Sequence, residues 1–87
     1  SQNWPNPFNP ATAIRFELLE RADVRLSVYN LKGQLVNTVA SGLYPAGAHQ
    51  VMWDGRDAAG RDAAAGVYLY RLEAGQQVRT MKMTLMR

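Results

Sequence analysis

The sequence predicts an all-β fold, an antiparallel sandwich of about seven strands. Apolar and polar residues alternate over short segments, and turn signals separate these segments at intervals of about 8–12 residues. No segment keeps the apolar period of about 3.6 residues that a helix requires. Residues 66–74 are apolar on both faces, which is typical of a strand in the middle of a sheet. A small barrel is the alternative architecture.

Three predicted strands occupy the first half of the chain, at residues 13–18, 24–30 and 34–40. The first two alternate cleanly, and their inward positions are Ile14, Phe16, Leu18, Val24, Leu26 and Val28. Gly33 supplies the positive φ of the hairpin loop that joins the second strand to the third. The third strand is less regular, because the spacing of Val36 and Val39 fits a β-bulge or a short helical turn as well as a strand.

The second half of the chain begins with a predicted loop at residues 41–48, which two glycines and a proline interrupt. The next strand, residues 49–54, places Trp53 in the core. A polar connection then leads to residues 66–74, and the last strand covers residues 78–86. The inward residues of that last strand are Met81, Met83 and Leu85.

A pair of tyrosines marks the start of the strand at residues 66–74. Tyr68, Tyr70 and Leu72 share one face of this strand, and Val67 and Leu69 share the other. In immunoglobulin-like sandwiches a tyrosine near the start of one central strand donates a hydrogen bond back to the preceding corner. The Tyr68–x–Tyr70 pair is typical of that strand.

The first 12 residues are rich in proline and asparagine, so we expect an extended or turn-rich lead-in. Trp4 and Phe8 are too apolar for a free linker, and we expect them to fold back over one end of the sandwich. The predicted organisation is a lead-in at residues 1–12 followed by one sandwich domain at residues 13–87. Because the chain starts with serine instead of methionine, we expect it to be a piece of a larger protein.

The composition excludes several classes of function. A chain of 87 residues makes one domain, and without cysteine it forms no disulfide, thiolate metal site or cysteine nucleophile. The net charge of +3 comes from basic and acidic residues interleaved along the whole chain, so we expect a solvated surface and no nucleic-acid partner. No apolar run is long enough to span a membrane.

Catalysis is not predicted. The only histidine, His49, lies in phase with inward residues at the start of a strand, where a packed edge residue is expected. The carboxylates fall in turns and on outward positions, so no facing pair is available for glycoside hydrolysis. No phosphate-binding or dinucleotide-binding motif is present. The chain is therefore predicted to be a non-enzymatic module without a cofactor.

Two binding sites are possible on chemical grounds. Asp54, Asp57 and Asp62 share one glycine-bearing loop, where their oxygens either cap tight turns, which we favour, or hold calcium. Exposed aromatic rings on a sandwich can stack on sugars, and the candidates for glycan contact are Trp4, Tyr29 and Tyr44.

Several stretches match a known family in the same order along the chain. They are residues 4–12 with Ile14 and Phe16, residues 28–30 with Gly33, residues 46–49, residues 53–55, residues 65–72, and the ending at Lys82, Met83 and Leu85. Together they resemble the type A C-terminal sorting domain of proteins exported by the type IX secretion system of the Bacteroidetes. They are similar also to the immunoglobulin-like domain of the flagellar hook-capping protein.

The resemblance implies an immunoglobulin-like β-sandwich that the outer-membrane secretion machinery recognises at the C-terminus of a large secreted protein. It implies structural roles in end closure, turns and core for Pro7, Phe8, Pro10, Gly33, Gly47, Trp53, Gly55, Gly66, Tyr68 and Tyr70. It implies that the machinery reads a terminal strand made of Lys82, Met83, Thr84, Leu85, Met86 and Arg87.

The predicted function is therefore a non-catalytic C-terminal module for secretion and cell-surface attachment, on the outer face of the outer membrane. The parent protein is expected to be a secreted glycoside hydrolase or protease. The expected partners are the secretion machinery and surface lipopolysaccharide or glycan, and the module is expected to be monomeric. The alternatives are a carbohydrate-binding accessory module of a polysaccharide-degrading enzyme and a passive spacer.

Overall fold

A computed structural model of the protein describes residues 11–86 and confirms the predicted all-β sandwich. The described residues contain six antiparallel strands and no helix. The strands are β1 (Thr12–Leu18), β2 (Ala22–Tyr29), β3 (Leu35–Tyr44), β4 (Gly47–Trp53), β5 (Gly66–Ala74) and β6 (Gln77–Leu85). About seven strands were expected, and the expected lead-in residues Trp4, Pro7, Phe8 and Pro10, like Arg87, lie outside the described range.

The strands form two sheets of unequal width. β1 and β4 pair in a two-stranded sheet, and the larger sheet has the order β3-β2-β5-β6. β5 therefore lies between β2 and β6, as its apolar sequence predicts. Its outer side is not covered by any other described strand, and Val67 there is 40% exposed.

The core fills the space between the sheets. Its buried members are Ile14, Leu18, Val24, Leu26, Val28, Trp53, Tyr68, Leu72 and Leu85. Most of them are alternate residues of their strands, because successive side chains of a strand point to opposite faces of the sheet. Leu26 and Val28 of β2 are fully buried, so the middle of the larger sheet is also the middle of the core.

Two β-bulges explain the irregular phase of β3. Leu26 pairs with Ala40 and Ser27 with Thr38, so Val39 is skipped. Val36 is skipped in the same way two residues further along β2. Both valines pack against the core. The bulge alternative is therefore the correct one, and the spacing that disturbs the alternation is what lets both valines reach the interior.

The predicted loop at residues 41–48 is wrong. β3 continues to Tyr44 and β4 starts at Gly47, which leaves only a two-residue turn between them. Gly42, with a φ of 138°, occupies a ladder position opposite Val24 of β2. Pairing with a central strand thus overrides the local breaker signal, and glycine tolerates the backbone angle that the position demands.

Candidate interaction surface

The corner before β5 is built around Trp53 and Tyr68. The two rings meet edge to face, with centroids 5.3 Å apart and planes at 72°. The Tyr68 hydroxyl group donates a hydrogen bond of 2.5 Å to the carbonyl oxygen of Ala64, which is the back-bond expected at such a corner. The Trp53 indole Nε1 donates to the carbonyl oxygen of Arg56 at 2.9 Å. Both buried rings are therefore anchored to the connection between β4 and β5.

Replacing Tyr68 with phenylalanine is expected to lower the free energy of unfolding by about 1–2 kcal/mol, because the Ala64 carbonyl loses its donor next to the core. Tyr70→Phe is the matched control. The Tyr70 hydroxyl group contacts only the weak acceptor Met81 Sδ at 3.3 Å among the described residues, so its removal should cost about 0.5 kcal/mol or less. Urea unfolding measures both values, and equal losses would contradict a role for the corner bond.

Asp57 organises the polar connection between β4 and β5. Its Oδ1 accepts backbone hydrogen bonds from Ala59 at 3.0 Å and Arg61 at 2.9 Å, and its Oδ2 lies 3.3 Å from Arg61 Nε. The backbone N–H of Arg61 is the main cause that lowers the pKa of Asp57. Partial desolvation opposes it, whereas the Ala59 N–H and the Arg61 charge add to it.

The three loop aspartates are engaged in turn capping and ion pairing. Asp54 Oδ1 accepts the backbone N–H of Arg56 at 3.1 Å, and Asp62 lies 3.9 Å from the Arg56 guanidinium group. No group of three or more potential metal ligands occurs within residues 11–86. In these contacts Asp54 and Asp57 cap turns of the loop, and Asp62 forms an ion pair with Arg56.

Asp57→Asn is expected to lower the melting temperature at neutral pH, because the amide keeps one acceptor but loses the charge that faces Arg61. The folded-state pKa of Asp57 is lowered, so its stabilisation is present above the unfolded pKa of about 4 and disappears as pH falls through the folded pKa. The gap between wild type and variant should therefore close in acid. A gap that stays constant from neutral to acidic pH would contradict this, and Asp54→Asn is the control with a smaller expected effect.

The opposite end of the sandwich is closed by a cluster of three rings. His49 lies 5.3 Å from Phe16 and 5.1 Å from Tyr44, measured between ring centroids. His49 Nε2 lies 2.8 Å from the carbonyl oxygen of Pro45, which places the N–H on that nitrogen. His49 thus lies near the start of β4, packed against two aromatic rings and opposite Phe16 of β1.

A group of apolar residues lies at one end of the outer face of the larger sheet. Tyr29 pairs with Leu35 on one side and with Leu69 on the other, and Leu69 pairs with Lys82. Leu35 is 56% exposed. These side chains share the face opposite the core, so they form one row across all four strands.

Two further apolar residues extend this row. Val67 is 40% exposed and follows the same face of β5, and Leu31 in the β2–β3 turn is 67% exposed. Leu31 and Val67 line one shallow depression beside Gly66. We call the set of Tyr29, Leu31, Leu35, Val67 and Leu69 the outer-face patch. A contiguous apolar patch of this kind on a soluble domain is typical of a protein–protein contact.

The structure does not bring the predicted glycan contacts together. Tyr29 lies on the outer face of the larger sheet, whereas Tyr44 packs against the core and against Phe16. Trp4 lies outside the described residues. The two described tyrosines therefore offer no common platform for a sugar ring.

The predicted signal strand corresponds to the end of β6. Within it Leu85 is only 1% exposed and pairs with Gly66, so it belongs to the core, whereas Met86 is 77% exposed. Lys82 stands on the outer face at the edge of the patch. Leu31 and Leu35 cannot be recognised from the sequence as parts of one surface, because their common position depends on the register between strands.

Comparison with known proteins identifies a family whose model matches this chain. The model of the FlgD Ig-like domain family matches residues 3–78. The crystal structure of FlgD from P. aeruginosa is similar with a TM-score of 0.70 and 26% identity, over 86% of this chain and 59% of that chain. FlgD from Xanthomonas campestris, reported with insights into the hook capping essential for flagellar assembly, has a TM-score of 0.68 and 20% identity, over 88% of this chain and 56% of that chain.

The structural matches cover only part of each FlgD protein. The chain spans 59% and 56% of the two FlgD proteins, less than two thirds of either. A search among curated proteins finds no significant match. At 20% identity the likeness to the Xanthomonas campestris protein shows the fold alone.

The predicted sorting function is wrong. The matched family is that of a flagellar hook-capping protein. This finding contradicts the predicted type IX secretion, surface attachment and outer-membrane location. It also contradicts the predicted partners, which were the secretion machinery, lipopolysaccharide and glycan. The hydrolase or protease parent and the carbohydrate-binding alternative have no support either. The shared motif residues, such as Trp53 and Tyr68, build the core and the turns. They are therefore evidence for the fold and not for where the protein is exported.

One prediction agrees with the family. Hook-capping proteins of this family are structural and non-enzymatic, in line with the predicted lack of catalysis. Residues 11–86 contain no helix that could cross a membrane. The match over residues 3–78, together with the shared fold, shows that this chain belongs to the FlgD Ig-like domain family.

Proposed function

We propose that this domain is a structural module of a flagellar hook-capping protein and that it binds a hook component. The observation that carries the proposal is the family match over residues 3–78. The likeness to the P. aeruginosa FlgD structure supports it. The module acts where the flagellum is assembled, after export of the protein that contains it.

The outer-face patch is the surface through which the module binds. It combines apolar side chains from all three strands β2, β3 and β5 with the apolar turn residue Leu31, and Lys82 adds a positive charge at its margin. Interfaces between proteins place such apolar residues at the centre and charged residues at the rim. A rigid sheet presents these residues at fixed positions, so little conformational entropy is lost on binding.

Co-sedimentation of the 87-residue chain with purified hooks tests this function. Leu35→Asp places a charge inside the patch and is expected to weaken binding at least about tenfold. Met52→Asp is the matched control, because Met52 is 54% exposed, close to the 56% of Leu35, but lies on the two-stranded sheet. It should bind like the unmodified chain.

Circular dichroism must show that both variants remain folded. If neither the unmodified chain nor the control sediments with hooks, the hook-binding function is wrong. If all three proteins bind equally, the function stands but the patch is not the contact.

A further inference from the structure

Two lysines border the outer-face patch, and neither has an acidic partner among the described residues. Lys82 on β6 pairs with Leu69 and ends the apolar row at the edge of the larger sheet. Lys32, in the turn between β2 and β3, lines the shallow depression beside Val67. Both lysines are exposed, and within residues 11–86 neither forms an ion pair. The margin of the patch therefore carries two ammonium charges that no carboxylate in the described part of the chain neutralises.

Two carboxylates close to the patch are already paired. Glu73 lies on the outer face of β5, and its Oε2 is 3.3 Å from Arg71 Nε. Asp57 lines a depression beside Leu35, and its Oδ2 is 3.3 Å from Arg61 Nε. The local charge around the patch is therefore positive, and a partner gains most from bringing carboxylates of its own.

A second copy of the chain does not fit this surface. Two patches that face each other about a two-fold axis would bring one positive margin against the other, and like charges across an interface oppose association. Asp23, the other acidic residue on this face, lies opposite Leu43 near the start of β2, about 20 Å from Tyr29. At that distance it cannot receive Lys32 or Lys82 of a copy docked patch to patch. The partner should therefore have a different sequence.

The patch offers side chains to a partner but no backbone groups from its central strands. β2 is bonded to β3 and β5, and β5 is bonded to β2 and β6. Their N–H and carbonyl groups are therefore used within the sheet. An extended segment lying over the patch would lose water from its own backbone without gaining a partner for it, which is costly. A helix forms its backbone hydrogen bonds internally and avoids this cost.

The spacing of the apolar row also suits a helix. Leu35, Tyr29 and Leu69 lie on three adjacent strands, so successive side chains are about 4.8 Å apart across the sheet. On a helix, residues three and four apart share one face and are about 5–6 Å from each other. A helix that crosses the strands along this row can therefore place one apolar side chain against each strand. Gly66 leaves room for a larger one, since a Cβ built there would meet nothing within 4 Å beyond its chain neighbours.

We propose that the patch binds an amphipathic helix with acidic flanks. Its apolar stripe covers Leu35, Tyr29 and Leu69, and its carboxylates meet Lys32 and Lys82. The helix would belong to the hook component that the module contacts, so this inference rests on the proposed function. The buried apolar contacts supply most of the affinity, whereas the charges at the margin select the partner and speed its encounter with the patch.

Two synthetic helical peptides test the inference without hooks. Both are about 18 residues long, enough to form a helix in water, and both carry the same apolar stripe. One has glutamate on the flanks, and the other has lysine at the same positions. Methyl NMR of the 87-residue chain follows the binding. We expect the acidic peptide to shift the Leu35, Val67 and Leu69 signals saturably and to bind at least about tenfold more tightly than the basic peptide.

Charge reversal gives a second readout. Lys32→Glu combined with Lys82→Glu should reverse the preference in favour of the basic peptide, because the margin of the patch becomes negative. Arg15→Glu combined with Arg79→Glu changes the net charge equally. Arg15 lies on the two-stranded sheet and Arg79 pairs with Leu72 on the inward face of β6, so the preference for the acidic peptide should remain. Circular dichroism checks that both variants fold, and the two peptides decide the question on the unmodified chain if one does not.

Several outcomes would overturn the inference. Equal affinity for the two peptides would contradict the selection by charge, and shifts confined to residues outside the patch would contradict the site. Concentration-dependent shifts of Leu35 and Leu69 without peptide would show that a second copy occupies the patch. A chain that sediments with hooks through the patch but ignores both peptides disproves the helical partner and leaves the proposed function standing. A chain that binds the acidic peptide but not hooks disproves the proposed function and leaves only the helix-binding site.

Discussion

Replacing Trp53 with alanine is expected to lower the free energy of unfolding by about 3–5 kcal/mol. Trp53 is 1% exposed, meets Tyr68 edge to face and donates a hydrogen bond to the Arg56 carbonyl group. Its removal leaves a cavity at the corner where both sheets and the β4–β5 connection meet. A domain of this length has a total stability of about 4–13 kcal/mol, so the substitution removes a large part of it. Urea unfolding followed by circular dichroism measures the loss.

Trp53→Phe separates the contribution of ring packing from that of the hydrogen bond, because it keeps an aromatic ring but removes the indole N–H donor. The Arg56 carbonyl group keeps a second donor, the side-chain amide of Asn37 at 3.0 Å, so it is not left without a partner. We therefore expect a loss of about 1–2 kcal/mol, well below that of alanine. If alanine and phenylalanine cost the same, packing of the indole ring is not what stabilises the corner.

Leu26→Ala is the second large effect, with an expected loss of about 2–5 kcal/mol. Leu26 is fully buried in β2 and pairs with Leu72 of β5 and Ala40 of β3, so a cavity there cannot be filled from solvent or by a loop. The same unfolding experiment gives the value.

Leu35→Ala is the matched control for this substitution. Leu35 is 56% exposed on the neighbouring strand, and its truncation should change stability by about 0.5 kcal/mol or less. A loss at Leu35 as large as that at Leu26 would mean that the outer-face patch is covered in the isolated chain, which would contradict its role as an open contact surface.

Much of the fold follows from local sequence. Clean alternation locates β1 and β2, because a period of two residues separates core from solvent. A short run that is apolar on both faces locates β5. The exceptions are informative: Gly42 looks like a strand breaker, yet it lies in β3, because pairing with β2 stabilises the extended chain. Similarly, the Val36–Val39 spacing reveals a bulge only once the partner strand is known.

The candidate surface is harder to derive from sequence. Tyr29, Leu35 and Leu69 are separated along the chain and become neighbours only through the registers of three strands. In the sequence alone, each of them looks like an isolated apolar residue on the surface. The aspartates of the β4–β5 connection are simpler, since their hydrogen bonds are local and the turn chemistry of Asp57 can be read directly.

The error about function has a physical origin. The residues that carried the resemblance are core rings, such as Trp53 and Tyr68, and turn glycines, such as Gly33 with a φ of 82°. Any protein that uses this sandwich needs the same residues, whatever it does. The ending at residues 82–87, on which the sorting interpretation relied, lies beyond the match at residues 3–78.

A domain exchange tests the hook-capping function most directly. In Xanthomonas campestris, whose FlgD is reported in connection with the hook capping essential for flagellar assembly, the Ig-like domain would be replaced by residues 1–87 of this chain. Electron microscopy of the cells then shows whether hooks form. The proposed function predicts hooks with the exchanged domain and their loss when Leu35→Asp is added, but not when Met52→Asp is added. Cells that export a folded chimera and still lack hooks would contradict it.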